Sequence, residues 1–205
     1  MRRLVIDTST EACSVTLFDG RDIVARSHDV LGRGHAERLV RLIAAMPDGG
    51  RAGEVLAGCG PGSFTGVRIG IAAARALGLA WSVPVRGFSA MSLVDVSAAR
   101  EHAEWRAMER AIVMEGGHGE WFVQLRDAEG HGDIRSLRPD AALALVGRRP
   151  VAGSRAEQLA AIRGQGTAIV LLPDTEAACD LAEAEILCSA IPIYGRGADA
   201  KKMAV

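Results

Sequence analysis

The chain has 205 residues, 49% hydrophobic and 24% charged, with a formal net charge of -1. That balance belongs to a globular protein with a sizeable core, and it excludes a disordered chain and one whose whole surface is a basic footprint for nucleic acid. No run approaches the roughly 18 apolar residues of a membrane span, and Asp7 ends the apolar stretch behind Arg2 and Arg3 too early for a secretory leader. Cys13, Cys59, Cys179 and Cys188 have no CxxC spacing and read as small buried hydrophobes of a reducing compartment. A cytoplasmic protein without membrane contact is expected.

Leu4 to Ile6 is a short buried strand that ends in Asp7-Thr8-Ser9-Thr10, and Cys13 to Phe18 and Ile23 to Ser27 are two more strands around a turn at Asp19-Gly20. A helix from His35 to about Met46 carries Leu39, Leu42, Ile43 and Met46 at three- and four-residue spacing and stops at Pro47-Asp48-Gly49-Gly50. The apolar run Val55 to Ala57 breaks into a Gly- and Pro-rich loop and then a long Ala-rich helix to Trp81; Val83 to Val85 and a helix from Ser89 to Ala99 follow. Three strands, a helix, a strand, a helix and a strand make half of an α/β fold.

The charged segment Arg100 to Arg110 predicts a boundary. After it come a strand Ala111 to Met114, a turn at Glu115-Gly116-Gly117, a strand Trp121 to Arg126, a helix after Pro139, a short strand at Val151, a helix Ala156 to Ile162, the apolar run Ala168 to Leu172, and a last helix from Thr175 to Ala190. The order echoes the first half, with halves at 1-105 and 106-205 and the last helix packing back on the first.

The loop before the Ala-rich helix can do chemistry or merely connect. Ser63 or Thr65 can cap the helix, whose free N–H groups and positive dipole end favour an anion such as phosphate. Alternatively the glycines serve close approach: Gly66, Gly70, Ala74 and Gly78 recur every fourth residue. Each interior Gly costs about 1 kcal/mol relative to Ala, which another backbone close by must offset.

The run Gly60-Pro61-Gly62-Ser63-Phe64-Thr65-Gly66-Val67-Arg68-Ile69-Gly70 resembles the signature of the TsaB (YeaZ) family. Ile6 to Thr10, Gly34 to Leu39 and Pro192 to Arg196 are similar to that family in the same order and span nearly the whole chain. The resemblance implies an α/β, actin-like ATPase (RNase H-like) fold with two duplicated halves. It also implies a non-catalytic subunit that supports TsaD, together with the ATPase TsaE, in threonylcarbamoyl transfer to the tRNA adenosine beside the anticodon. Family sequences carry an Asp-Ala-Arg-like turn where this chain has Glu115-Gly116-Gly117, which puts that turn's role in question.

In actin-like ATPases a loop such as Asp7-Thr8-Ser9-Thr10 orients water or magnesium and turns hydroxyls to a phosphate. Asp7, Thr8, Ser9, Thr10, Ser63 and Thr65 are therefore the candidate phosphate ligands, with ATP or ADP binding left open and no cofactor required. Val151-Ala152-Gly153-Ser154 is a poor adenosine loop. No two histidines lie three or four residues apart, and His35 is followed four residues on by Leu39, so no metal site is expected. A peptidase would need Cys59 or Ser63 as nucleophile; Gly62-Ser63 does not fit G-x-S-x-G, and the chain contains no Asn for a Cys-His-Asn triad.

A partner surface fits best. Leu39, Leu42, Ile43 and Met46 on one helix, and Val67, Gly70, Ile71, Ala74 and Gly78 on the next, form two narrow seams suited to a four-helix contact. The resemblance assigns that contact to TsaD, or to a second copy in a homodimer, with tRNA met only through the complex. Such a contact needs a second apolar face, such as Ala73 and Leu77. The rival is an independent actin-like ATPase or glycoprotease-like peptidase.

Overall fold

The computed structural model describes residues 1–128 and 130–195; Arg196, Lys201 and Lys202 lie outside them. The three expected strands, β1 (Arg2–Asp7), β2 (Ala12–Asp19) and β3 (Asp22–Val30), form an antiparallel meander. Helix α1 (His35–Ala44) stops before Met46, where Pro47–Gly50 form a 3-10 turn with Asp48 and Gly49 at positive φ. Then follow β4 (Glu54–Gly58), α2 (Phe64–Trp81), β5 (Val85–Phe88) and α3 (Ala90–Glu101). The sheet runs β3-β2-β1-β4-β5, with β1, β4 and β5 parallel.

The second unit repeats this plan. It comprises β6 (Arg110–Gly117), β7 (Glu120–Arg126), β8 (Arg135–Leu137), α4 (Pro139–Val146), β9 (Val151–Ala152), α5 (Ala156–Arg163) and β10 (Ala168–Ile169). Its order β8-β7-β6-β9-β10 has the same strand senses, and its helices interrupt the same strand pairs. This duplicated plan is the actin-like, RNase H-like fold.

Alternation along the strands builds the layers. Leu4 and Ile6 of β1 face α1 and α2 with Val15, Leu39, Val67 and Ala74, while Val5 between them faces Leu93 and Val96 of α3. The opposite side of α3 sends Met91 and Val94 to Ile112 and Met114 of the second sheet. Helices α4 and α5 cover that sheet's far face through Val146 and Leu159. Helix α3 is thus the shared layer, and its Asp95 is bound by Arg110 of β6 and Arg126 of β7, all buried. No helix among the described residues is long and apolar enough to cross a membrane.

Cys13 and Cys59 are buried as expected, but Cys179 is half-buried and Cys188 exposed, and two expected elements also differ. The helix over Thr175 to Ala190 does not form: Thr175–Asp180 and Glu183–Glu185 are short 3-10 turns, and Ile186–Leu187 is a strand, β11, pairing antiparallel with β5. The segment does return to the first unit, as an edge strand. Glu115-Gly116-Gly117 is not a turn either. It is the bulged end of β6, and the chain reverses at His118-Gly119. A Cβ on Gly116 would lie 2.7 Å from the Glu120 carbonyl oxygen, so glycine serves the close strand approach there.

Candidate functional site: a cleft and two helix faces

The carboxyl ends of β1, β4 and β6 open on a cleft between the units, where ligands of open α/β sheets bind. Ser63 caps α2 by accepting the Gly66 N–H at 3.3 Å, as one of the two expected caps. The loop is stitched to β1–β2: the Ser63 N–H donates to the Ser9 carbonyl at 2.7 Å, and the Thr8 hydroxyl donates to the Gly66 carbonyl at 2.7 Å. Cβ atoms on Gly62 and Gly66 would overlap the Ser9 and Thr8 carbonyl oxygens. The glycines at these points serve backbone contact.

The cleft has a volume of about 640 Å³ and is lined by Ser9, Thr10, Ser63 and Thr65 among the expected phosphate ligands. Asp7 and Thr8 do not line it. Both are buried, Thr8 by its bond to α2 and Asp7 by accepting the backbone and hydroxyl protons of Ser9 at 2.9 and 2.8 Å. Across the cleft, Glu115 is paired with Arg155 and accepts the Gly117 N–H. Gly153 lies against Val113, and Ser154 accepts the Glu115 N–H at 2.9 Å, so both have structural roles. His35 opens α1 at the rim, while Leu39, four residues on, sits wholly in the core. Among the described residues no three His, Cys, Asp or Glu side chains gather as metal ligands.

Burial pushes the Asp7 carboxyl up to about 6, against the Ser9 hydrogen bonds that favour its ionised form. The unfolded chain releases this proton near 3.8, so the folded state binds it better between those values. Stability therefore falls as pH rises through this window and levels off above it. Between pH 4.5 and 7 Asp7 is expected to remove about 2 kcal/mol. In Asp7→Asn that loss disappears while the other carboxyls titrate as before; urea titrations at the two pH values check it, and identical pH slopes in both proteins would refute it.

Cys59, the thiol considered as a nucleophile, is buried with its S–H directed to the Ala57 carbonyl, and burial pushes its pKa up to about 11. It is a thiol, not a thiolate, at neutral pH. Ser63 faces the cleft with its oxygen engaged as the helix cap.

The nine residues expected at a partner surface all lie inside. Leu39, Leu42, Ile43, Met46, Val67, Gly70, Ile71, Ala74 and Gly78 are buried within the chain's own core. Gly70 approaches Thr8, and Gly78 meets Val85 so closely that a Cβ would overlap it. The small-residue stripe lets α2 lie flat on the sheet, so any partner meets a different face. On one flank α1 is tied to β3 by Arg38 and Asp29, at 2.6 Å; on the far flank of α2, Arg75 and Arg68 reach Ala190 and Tyr194. Away from the core, α1 exposes Ala36, Val40 and Ala44 and α2 exposes Ala76 and Ala80, while Ile69 and Ala73 pack in part against the core. Val40 is 65% exposed, and Ala73 and Leu77 are half-buried. The outer faces of the adjoining helices α1 and α2 are thus partly apolar.

The duplicated fold and this cleft define a class. A family model described as "TsaD: tRNA N6-adenosine threonylcarbamoyltransferase" matches residues 29–144. The protein named "tRNA threonylcarbamoyladenosine biosynthesis protein TsaB" of Escherichia coli K12 is 36% identical over 140 residues, covering 65% of this chain and 60% of that protein. The chain thus aligns with less than two thirds of this curated relative. YeaZ from Pseudomonas aeruginosa superposes with a TM-score of 0.73 at 25% identity, covering 94% of this chain and 99% of that one. A crystal structure described as having similarity to peptidase YEAZ from Pseudomonas aeruginosa gives 0.76 at 26%, over 95% and 99%. The chain belongs to the TsaB (YeaZ) family.

Proposed function

We propose that this protein takes part in tRNA threonylcarbamoyladenosine biosynthesis as an accessory subunit. It docks TsaD through the outer face of α1 and α2, and TsaE acts on the resulting complex. The observation that carries the reading is the outer face of α1 and α2: Ala36, Val40 and Ala44 on one helix and Ala76 and Ala80 on the next stand exposed, outside the seams already buried in the core. Small side chains allow a second pair of helices to cross closely. The same face fits a second copy of the chain when TsaD is absent. A supporting rather than reacting role is favoured by the acids at and beneath the cleft: Asp7 is buried below it, and Glu115 is held by Arg155. Docking acts by favouring the competent conformation of TsaD, which requires tighter binding to that state.

Val40→Asp tests it, because the side chain is exposed and the fold should be unaffected. A carboxylate left unpaired in a buried contact is expected to weaken co-purification with TsaD at least about 30-fold and to abolish tRNA modification, with an unchanged melting temperature. Retention of both, or steady ATP or peptide turnover by the purified chain alone, would overturn the proposal.

A further inference from the structure

Within the signature run the glycines are accounted for by close packing, but Phe64 and Arg68 are not. Phe64 is 57% exposed at the start of α2, on the rim of the cleft, and the Arg68 guanidinium stands over its ring at 3.6 Å. Tyr194, 53% exposed, completes the cluster: its ring centroid is 6.0 Å from that of Phe64 at a tilt of 31°, and its hydroxyl accepts from Arg68 at 3.2 Å. Two hydrogen bonds hold the Tyr194 segment in place, from the Arg75 side chain of α2 to the Ala190 carbonyl at 2.7 Å and from the Ile193 N–H to the carbonyl of Cys59, just after β4, at 2.7 Å. Among the described Phe, Tyr and Trp residues these are the two exposed ones, and they adjoin.

We propose that Phe64, Tyr194 and Arg68 form a stacking platform for an unpaired base of a single-stranded RNA segment. More than half of each aromatic residue stays exposed with the cluster formed, so ring surface remains for a third planar group. Stacking on an aromatic face with a guanidinium beside it is how proteins hold unpaired bases. The surroundings suit a phosphate backbone. Arg33 on the cleft rim makes no ion pair among the described residues, Glu115 opposite is neutralised by Arg155, and Glu11 is the acidic group that remains. The platform lies on the flank of α2 away from the docking face, so RNA and a docked protein do not compete for it. The proposal rests on the tRNA reading only for the identity of the natural RNA.

The test is fluorescence anisotropy of a labelled, unstructured RNA 12-mer with the isolated full chain, at several salt concentrations. Wild type is expected to bind saturably. Phe64→Ala should weaken binding about tenfold with unchanged melting temperature, and Tyr194→Phe, which keeps the ring, should stay within about twofold. Arg68→Ala should lower the salt slope by about one. Absence of saturable binding by wild type, or equal affinity of Phe64→Ala, would overturn the platform. So would competition by AMP at the same concentration as the 12-mer, which would mark a mononucleotide pocket. Loss of TsaD from Phe64→Ala with RNA affinity intact would mark a protein contact instead and also overturn it. Val40→Asp should bind the RNA as wild type does, so failure of the docking face and failure of the platform are read separately.

Discussion

Gly66→Ala is expected to destabilise the protein by about 3 kcal/mol, although alanine is the better helix former by about 1 kcal/mol. The reason is local and rigid. The added Cβ would overlap the Thr8 carbonyl oxygen, and the Gly66 carbonyl is itself held by the Thr8 hydroxyl, so neither backbone can retreat without breaking that bond. For a chain of this size the loss corresponds to a fall of roughly 6–12 °C in melting temperature. A thermal scan reads it, and an unchanged midpoint would show that the loop after β1 and the start of α2 are not in contact. The same reasoning applies to Gly70, whose Cβ would lie 2.7 Å from the Thr8 hydroxyl oxygen. A bulky residue there would abolish partner binding through loss of the fold, which is why Val40 is the better probe of the docking face.

Asp95→Ala should have the largest effect, a loss of about 3–5 kcal/mol. The Asp95 carboxylate accepts two hydrogen bonds from Arg110, at 2.5 and 2.8 Å, and one from Arg126 at 3.1 Å. Arg126 also binds Ser92 and Glu185, and Arg110 donates to the Trp105 carbonyl. Removing the carboxylate takes away the acid that both buried guanidinium groups share and leaves Glu185 paired with Arg126. Breaking a buried pair costs far more than the pair contributes, because the orphaned charge stays desolvated. Urea unfolding measures it; a loss below about 1 kcal/mol would mean that water solvates these arginines. Asp95→Asn, which keeps an acceptor oxygen, should recover part of the loss.

The strands and helices with clear periods were legible in the sequence. So was the duplication, because alternation and three- or four-residue spacing depend on neighbours along the chain. What escaped was decided by distant residues. The stretch Thr175 to Ala190 has a strong helical composition, yet Thr175 bonds to Ser14 and Thr16 of β2, Asp174 pairs with Arg26, and Ile186 pairs with Phe88. Those ties prevail over a propensity worth only tenths of a kcal/mol per residue. The seam on α2 was recognised as apolar and close-fitting, but a stripe does not say whether the chain's own sheet or a partner fills it. The alanines at 72, 73, 76 and 80, a second small-residue face, were the available signal. Asp7 looked like a ligand because its type and position fit, and only burial shows it turned inward. Phe64 and Arg68 were in plain view; Tyr194, 126 residues from Arg68, could not be joined to them by any local rule.

Because β11 closes the first sheet, Phe88 waits for Ile186 and Gly87 for Leu187 until all of the intervening residues have left the ribosome. Through that interval β5 is an open margin able to zip onto a stranger, the hazard that natural sheets deter with charge. Arg86 sits in the middle of β5, drawn in the finished molecule to Glu54 and Glu183. The same arginine that later fastens the closing segment is, during synthesis, the guard on the unfinished border.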